Sequence, residues 1–229
     1  MTHLPNAFPL SPAPYKLAII GEAPGPHELA QGRPFAGPSS GLLSNALQNA
    51  GVLMSNCFRG YVYNQVPPGG DIEHVNKSDP DFNESISILK SDLNKFQPNC
   101  VLLLGGTALW AAGVYHKVNV YRGTLFSGID QRYKCLATFS PGYVQKVWDE
   151  APLFQFDVNR ACKEAFTKEL NLPNRKLEPS LTPAEVLSRL NAITPGTITS
   201  VDIEGGVPNP EETTHRNLDG VTCIGISTD

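Results

Sequence analysis

The regular alternation of short apolar runs with helical patterns limits the fold of this chain more than any other feature. Strand-like apolar runs occupy residues 16–21, 58–64, 100–104, 118–126 and 134–139. Apolar residues recur at helical spacing at 39–50, 82–97, 106–113 and 151–170. This alternation predicts an α/β domain with three αβα layers, in which helices cover both faces of a central, mostly parallel sheet. Such sheets bind ligands beyond the carboxyl ends of their strands.

Changes in composition divide the chain into four segments. They are a proline-rich, extended arm at 1–14, the α/β domain at 15–170, a linker with a short helix at 171–196, and a last segment at 197–229. The linker helix is predicted from Thr182, which caps it, and from Pro183 in its first turn. Strand-like runs at 197–204 and 220–227 predict a β-hairpin that starts a second domain.

Charge and hydropathy narrow the class of protein. The formal net charge of −4 neither indicates nor excludes nucleic-acid binding, because a basic groove can lie on an acidic protein. No apolar run approaches the roughly 18 residues that a membrane span needs, and the first residues lack a signal pattern. We therefore expect a cytoplasmic protein without membrane contact, and a monomer.

The five cysteines do not indicate a metal site. None of them forms a CxxC pair, which zinc and iron–sulfur sites usually need. Cys100 and Cys135 fall in strand-like runs, so we expect both to be small buried hydrophobic residues.

The glycine-rich loop after the first strand-like run, GEAPG at 21–25, does not fit the common phosphate-binding loops. No Gly-Lys-Ser/Thr follows it, and Pro24 and Pro26 oppose the helix that a dinucleotide fingerprint starts at once. Alone, this turn is as compatible with a structural role as with ligand binding.

A wider set of motifs is more specific. In chain order they are GEAPG (21–25), GRPFAG (32–37), GLL (41–43), YVYN (61–64), PPG (67–69), LLLG (102–105), RG (122–123) and SPGY (140–143). Their order and spacing over residues 16–170 resemble the uracil-DNA glycosylase superfamily, and especially its iron–sulfur branch.

The resemblance implies a site that holds a base flipped out of DNA. Phe35 would stack on the base, Ala23 would line its pocket, and Asn64 would read the pyrimidine edge with its carboxamide. Glu22 would orient water or stabilise positive charge on the sugar. Each has a plainer alternative: Phe35 as a core aromatic, Asn64 as a turn residue, and Glu22 as a solvated or capping carboxylate.

The same resemblance implies contacts to the DNA strand. The amides of the loop that ends at Gly25 could hold a phosphate. Tyr143 and Val144 would form a wedge, and Lys146 would reach a phosphate.

Two departures from the family pattern bear on activity. The cluster cysteines are missing, and Ile86 stands where the third ligand aligns, so we predict no iron–sulfur cofactor. Ser140 stands where the family has a histidine that donates to the uracil oxygen. Losing one such donor typically lowers the rate by roughly two to three orders of magnitude.

In the last segment, Asp202 and Glu204 are two residues apart on a predicted strand and would share one face. The segment resembles the start of a proofreading 3′–5′ exonuclease domain, in which such a pair binds Mg²⁺ or Mn²⁺. A solvated strand edge is the alternative. Some phage family-A DNA polymerases show this order of domains. The other ligands would lie beyond Asp229, so we expect no exonuclease activity from this chain alone.

Three functions remain open. The first is a uracil-DNA glycosylase-like domain of phage-type replication or repair, which excises or senses uracil in uracil-containing or single-stranded DNA. The second is an inactive module that binds DNA or docks a polymerase. The third is an enzyme that acts on another base or nucleotide.

Overall fold

A computed structural model describes residues 3–170, 172 and 182–195, together with the backbone of the strands at 199–205 and 221–228. The chain divides into two compact units, Met1–Pro173 and Asn174–Asp229, which are described separately.

The first unit is built on a five-stranded sheet. Its strands are β1 (Leu17–Gly21), β2 (Phe58–Tyr61), β3 (Cys100–Leu104), β4 (Leu125–Gly128) and β5 (Tyr133–Thr138). Their order across the sheet is β2-β1-β3-β5-β4, and every neighbouring pair is parallel except β4 and β5. The predicted mostly parallel sheet is therefore confirmed.

Helices cover both faces of this sheet. They are α1 (Pro26–Gln31), α2 (Ser40–Asn49), α3 (Pro80–Phe96), α4 (Gly106–Ala111), α5 (Val118–Tyr121), α6 (Pro141–Lys146) and α7 (Ala151–Glu164). Leu17 and Ile19 of β1 join a core with α2 and α7, whereas Ala18 and Ile20 join a second core with α3 and α4. Successive strand residues thus point into opposite layers, as the three-layer prediction requires.

Some predicted boundaries were wrong. The run 118–126 is not one strand: its first residues form α5, and β4 begins at Leu125. Gly123 separates the two with a left-handed φ of 70°, which ends any extended run. Pro24 and Pro26 do not prevent a helix either. Pro26 starts α1, and Pro141 starts α6, because proline fits the first helical turn.

The amino-terminal arm lies along the outer edge of β2. Ala7 exchanges two backbone hydrogen bonds with Arg59, at 2.8 and 2.9 Å, and the amide of Leu4 donates to the carbonyl of Asn64 at 2.8 Å. The predicted extended arm therefore covers an edge strand and reaches the loop that follows it.

Cys100 and Cys135 are fully buried, as predicted. Burial raises the pKa of Cys100 to about 12 and raises that of Cys135 as well. Both thiols therefore stay protonated at neutral pH and behave as small apolar residues.

The second unit contains α8 (Pro183–Asn191) and an antiparallel pair, β6 (Thr199–Gly205) and β7 (Val221–Thr228). Thr182 caps α8 together with Glu185, which confirms the predicted helix start. Asp202 and Glu204 lie in β6, but their side chains are outside the described residues. No helix of the described residues is long and apolar enough to cross a membrane.

Candidate active site

The loops at the carboxyl ends of neighbouring strands are joined by backbone hydrogen bonds. The amide of Tyr63, after β2, donates to the carbonyl of Glu22, after β1, at 3.0 Å. The amide of Gly105, after β3, donates to the carbonyl of Thr138 at the end of β5, also at 3.0 Å. The loops that carry the motifs therefore meet beyond the carboxyl ends of the strands, where parallel sheets bind ligands.

The side chain of Glu22 extends from the loop after β1 to the first turn of α4. Its Oε1 accepts a hydrogen bond from the amide of Thr107 at 2.9 Å. Burial raises the pKa of Glu22, while the hydrogen bonds from Thr107 and Gly106 oppose that rise. The carboxylate is thus fixed in place and binds a proton more readily than an ordinary glutamate, as suits a group that accepts a proton from water. It is not freely solvated, but it does cap a helix: it accepts the amide of Thr107, the second residue of α4, which is the capping role of the plainer alternative.

Phe35 lies over the end of β1 beside a second aromatic residue, and with 9% of its surface exposed it belongs to the core formed with α2 and α7, as the plainer alternative expects. Its amide donates to Oη of Tyr61 at 3.0 Å, and the two ring centroids are 4.9 Å apart. A Cβ atom on Gly21 would lie 2.8 Å from Cε1 of Tyr61 and 3.2 Å from Cε1 of Phe35. Only glycine at position 21 leaves room for this aromatic pair. Phe35 itself has a left-handed φ of 55°, a conformation that the surrounding contacts must hold.

Asn64 is 5% exposed, and contacts from two other segments fix its carboxamide. Oδ1 lies 2.9 Å from Oγ of Ser85 in α3 and 3.0 Å from Nδ1 of His3 in the amino-terminal arm. These are long-range contacts, so Asn64 is more than a local turn residue. Its neighbour Gln65 is buried, and neither amide atom of Gln65 has a partner among the described residues.

The structure argues against the predicted phosphate contact at Gly25. The amide of Gly25 donates to Oε2 of Glu28 at 3.0 Å, and the amide of Gly37 donates to Oε1 of Glu28 at 2.7 Å. The buried Glu28 carboxylate therefore occupies the anion-binding position of this loop. A phosphate would first have to displace it. Ala23, in the same loop, is half-buried and packs against the core formed with α3 and α4.

Ser140 caps helix α6. Its Oγ accepts a hydrogen bond from the amide of Tyr143 at 3.3 Å, and Pro141 occupies the first helical position. Tyr143 is 43% exposed and Lys146 is exposed, but Val144 is fully buried in the core. Val144 has no exposed surface at all, so it is not available for the predicted wedge.

A buried acid, Asp157, holds the end of β5, the strand that precedes Ser140 in the chain. Asp157 in α7 accepts hydrogen bonds from Nε and Nη2 of Arg122 at 2.9 and 2.8 Å. It also accepts one from Oγ1 of Thr138 at 2.7 Å. This network fixes the strand from which the Ser140 loop departs.

Sequence reasoning missed most of the supporting residues, namely His3, Glu28, Tyr61, Ser85, Thr107 and Asp157. One local signal was present: a glutamate three residues after the N-cap residue, here Gly25, is the half of a capping box in which the glutamate accepts the N-cap amide. The other contacts join distant segments and leave no mark in local sequence. The described residues contain no cluster of three or more His, Cys, Asp or Glu side chains able to hold a metal ion.

Comparison with known proteins agrees with this arrangement. A family model of the uracil DNA glycosylase superfamily matches residues 8–171, well over half of the chain. The matched range includes all five strands of the main sheet and every site residue described above except His3. A search of curated proteins gave no match. The chain therefore belongs to the uracil DNA glycosylase superfamily.

Proposed function

We propose that the first unit binds uracil-containing or single-stranded DNA, takes a uracil base into the pocket beside Phe35, and excises it. One observation carries this proposal. The proposed stacking pair and the proposed catalytic carboxylate meet at Gly21. Phe35 and Tyr61 pack against Gly21, and the next residue, Glu22, presents a fixed carboxylate. A base held on the aromatic pair would bring its sugar toward that carboxylate.

The chemistry is hydrolysis of the bond between the base and C1′ of the sugar. Glu22 would accept a proton from a water molecule as the water oxygen bonds to C1′. The electron pair of the broken C1′–N1 bond would leave with the base, which then takes a proton. The raised pKa of Glu22 suits this step because it strengthens the carboxylate as a base. The negative carboxylate would also stabilise positive charge on the sugar.

Base recognition is assigned to the pocket around Asn64. Phe35 would stack on the base, and the carboxamide of Asn64 would bond to its polar edge. His3 and Ser85 support this role, because both lie within hydrogen-bond distance of Oδ1 and hold the carboxamide in one place. The oxygen is thus engaged, and the Nδ2 amide is the donor offered to the base.

DNA contacts are assigned to the exposed part of α6. Tyr143 is the proposed wedge, and Lys146 the proposed phosphate contact. Both are exposed in the helix that starts just after Ser140.

A second function, a DNA-binding module without excision, is favoured by Ser140. Its hydroxyl accepts the capping hydrogen bond from Tyr143, and serine is shorter than the histidine of the family motif. Stabilisation of the departing base is therefore weaker, and slow excision or none is expected.

We further propose that this domain works without an iron–sulfur cluster. Its cysteines are buried, and burial raises the pKa values of Cys57, Cys100 and Cys162 to about 12. Among the described residues, no three His, Cys, Asp or Glu side chains are placed together so that they could hold a metal ion. Metal analysis of anaerobically purified protein should find no stoichiometric iron; a brown protein with bound iron would contradict the proposal.

For the second unit, we propose that β6 and β7 are the start of a 3′–5′ exonuclease domain in a phage-type replication polymerase. The support is the Asp-x-Glu pair, Asp202 and Glu204, on a strand of an antiparallel pair that follows a glycosylase-family domain. In a complete domain this pair would bind Mg²⁺ or Mn²⁺.

The deciding experiment incubates the protein with a single-stranded oligonucleotide that contains one uracil, followed by alkaline cleavage. Matched strands with cytosine or thymine at that position test base preference. Cleavage at uracil that is lost in Glu22→Gln supports the glycosylase. Tight DNA binding without cleavage supports the binding module.

A further inference from the structure

Arg59 is a buried cation for which the described residues supply no counter-ion. It lies in the middle of β2, is 9% exposed, and its Nε has no hydrogen-bond partner in the part of the chain that the structure describes. None of the ion pairs of the described residues includes Arg59 or the nearby Arg33. Arginine cannot lose its charge in a protein, so this arrangement is costly unless an anion arrives.

The buried acid of the loop region that carries Arg33 is already engaged. Glu28 lies in the same glycine-rich region, but its two carboxylate oxygens accept the amides of Gly25 and Gly37. Burial lowers the pKa of Arg59, and the positive charge of Arg33 lowers it further, while Cys57 and Tyr61 act in the opposite direction. Neither arginine forms an ion pair with a described carboxylate.

The two arginines lie on the elements that supply the proposed base pocket. Arg59 and Tyr61 are two residues apart on β2, so they share one face of the sheet. Oη of Tyr61 accepts a hydrogen bond from the amide of Phe35. Arg33 is two residues before Phe35 in the same loop. The cations thus sit on the same two elements that supply the aromatic pair.

We propose that Arg33 and Arg59 form a phosphate-binding site next to the base pocket. Two guanidinium groups offer several N–H donors in planar arrays that match phosphate oxygens. The assignment of this phosphate to the DNA strand that carries the base rests on the proposed function. The anion site itself does not, because free phosphate or a mononucleotide presents the same chemistry.

The first arm of the test measures thermal unfolding in chloride and in inorganic phosphate at equal ionic strength. Phosphate should raise the Tm of the parent and of the control Arg132→Gln, an exposed arginine at the start of β5 that loses the same charge. It should not raise the Tm of Arg59→Gln or Arg33→Gln. In chloride, Arg59→Gln should be at least as stable as the parent, because it removes an unpaired buried charge. A merely structural arginine would show the opposite.

The second arm measures binding of a single-stranded, uracil-containing oligonucleotide over a range of salt concentrations. Loss of one phosphate contact should lower the slope of log K against log salt by about 0.7 in Arg59→Gln, and leave it unchanged in Arg132→Gln. A phosphate-dependent Tm with an unchanged slope would assign the site to free phosphate or a mononucleotide. If phosphate stabilises the parent and both site variants equally, the site does not exist. Arg33 is exposed, so its variant still reports if Arg59→Gln fails to fold.

Discussion

Gly105 and Glu22 are in direct contact across the end of the sheet. A Cβ atom on Gly105 would lie 2.6 Å from Oε2 and 2.8 Å from Cγ of Glu22. Gly105 also has a φ of 99°, which residues with a side chain rarely adopt. The glycine after β3 is therefore what allows the carboxylate after β1 to reach the first amides of α4.

Gly105→Ala should displace Glu22 and abolish excision. It should also lower the free energy of unfolding by about 1–3 kcal/mol, because alanine is strained at this φ. Gly106→Ala is the matched control, since a Cβ atom there lies 3.9 Å from Oε1 of Glu22, an ordinary contact. Single-turnover excision and urea unfolding measure the two effects. Parent-like excision by Gly105→Ala would show that the position of Glu22 does not matter.

The pH dependence of excision should report Glu22. Its pKa in the folded protein is raised above the ordinary value of 4.5, mainly by burial. Because the ionised form is the active one, the rate should be full above that raised pKa and fall as pH drops through it. The acid limb, measured under single-turnover conditions, should lie above that of a solvent-exposed glutamate. A limb at or below 4.5 would assign the titration to another group.

The sequence predicted the layers of this fold better than the contacts inside its site. Full apolar runs such as 100–104 are buried on both faces, so their pattern alone predicts a central parallel strand. The prediction of one strand at 118–126 was wrong because α5 and β4 both carry apolar residues, and the break between them depends on the left-handed backbone of Gly123.

The residues of the site also divide into those that the sequence motifs predicted and those that they did not. Glu22 and Asn64 follow strands β1 and β2, so their place at the carboxyl end of the sheet could be predicted from the sequence. Phe35 follows helix α1, and only its motif pointed to the same site. The groups that hold them, among them Thr107, Tyr61 and Ser85, come from elements distant in sequence. No local pattern encodes such pairs. The amide of Gly25 was assigned to a phosphate because the competing carboxylate of Glu28 was not weighed.

Phe35→Ala should weaken binding to a uracil-bearing strand by on the order of 1–3 kcal/mol, the usual value for stacking of one base. Tyr61→Phe is the matched control: it keeps the second ring but removes the oxygen that accepts the amide of Phe35, worth about 1 kcal/mol of folding stability. Fluorescence anisotropy with labelled strands measures both. Equal affinity of Phe35→Ala and parent would remove Phe35 from the base pocket.

The proposal that this domain excises uracil depends most on Ser140. Ser140→His should place a donor near the leaving base, and excision of uracil should rise by roughly 100-fold or more. The same change removes the hydroxyl that caps α6, and loss of a cap costs about 0.5–2 kcal/mol of stability. Ser140→Ala is the control for that cost, because it loses the cap without gaining a donor.

The faster excision expected of Ser140→His should depend on the carboxylate of Glu22, which serves the same transition state. Adding Glu22→Ala to Ser140→His should abolish it, since a donor on the base cannot replace the group that acts at the sugar. If Ser140→His changes nothing while the parent already cuts well, the catalytic arrangement differs from the one proposed. If neither protein cuts any uracil strand yet both bind DNA, Ser140 marks a domain that reads DNA without cleaving the base from it.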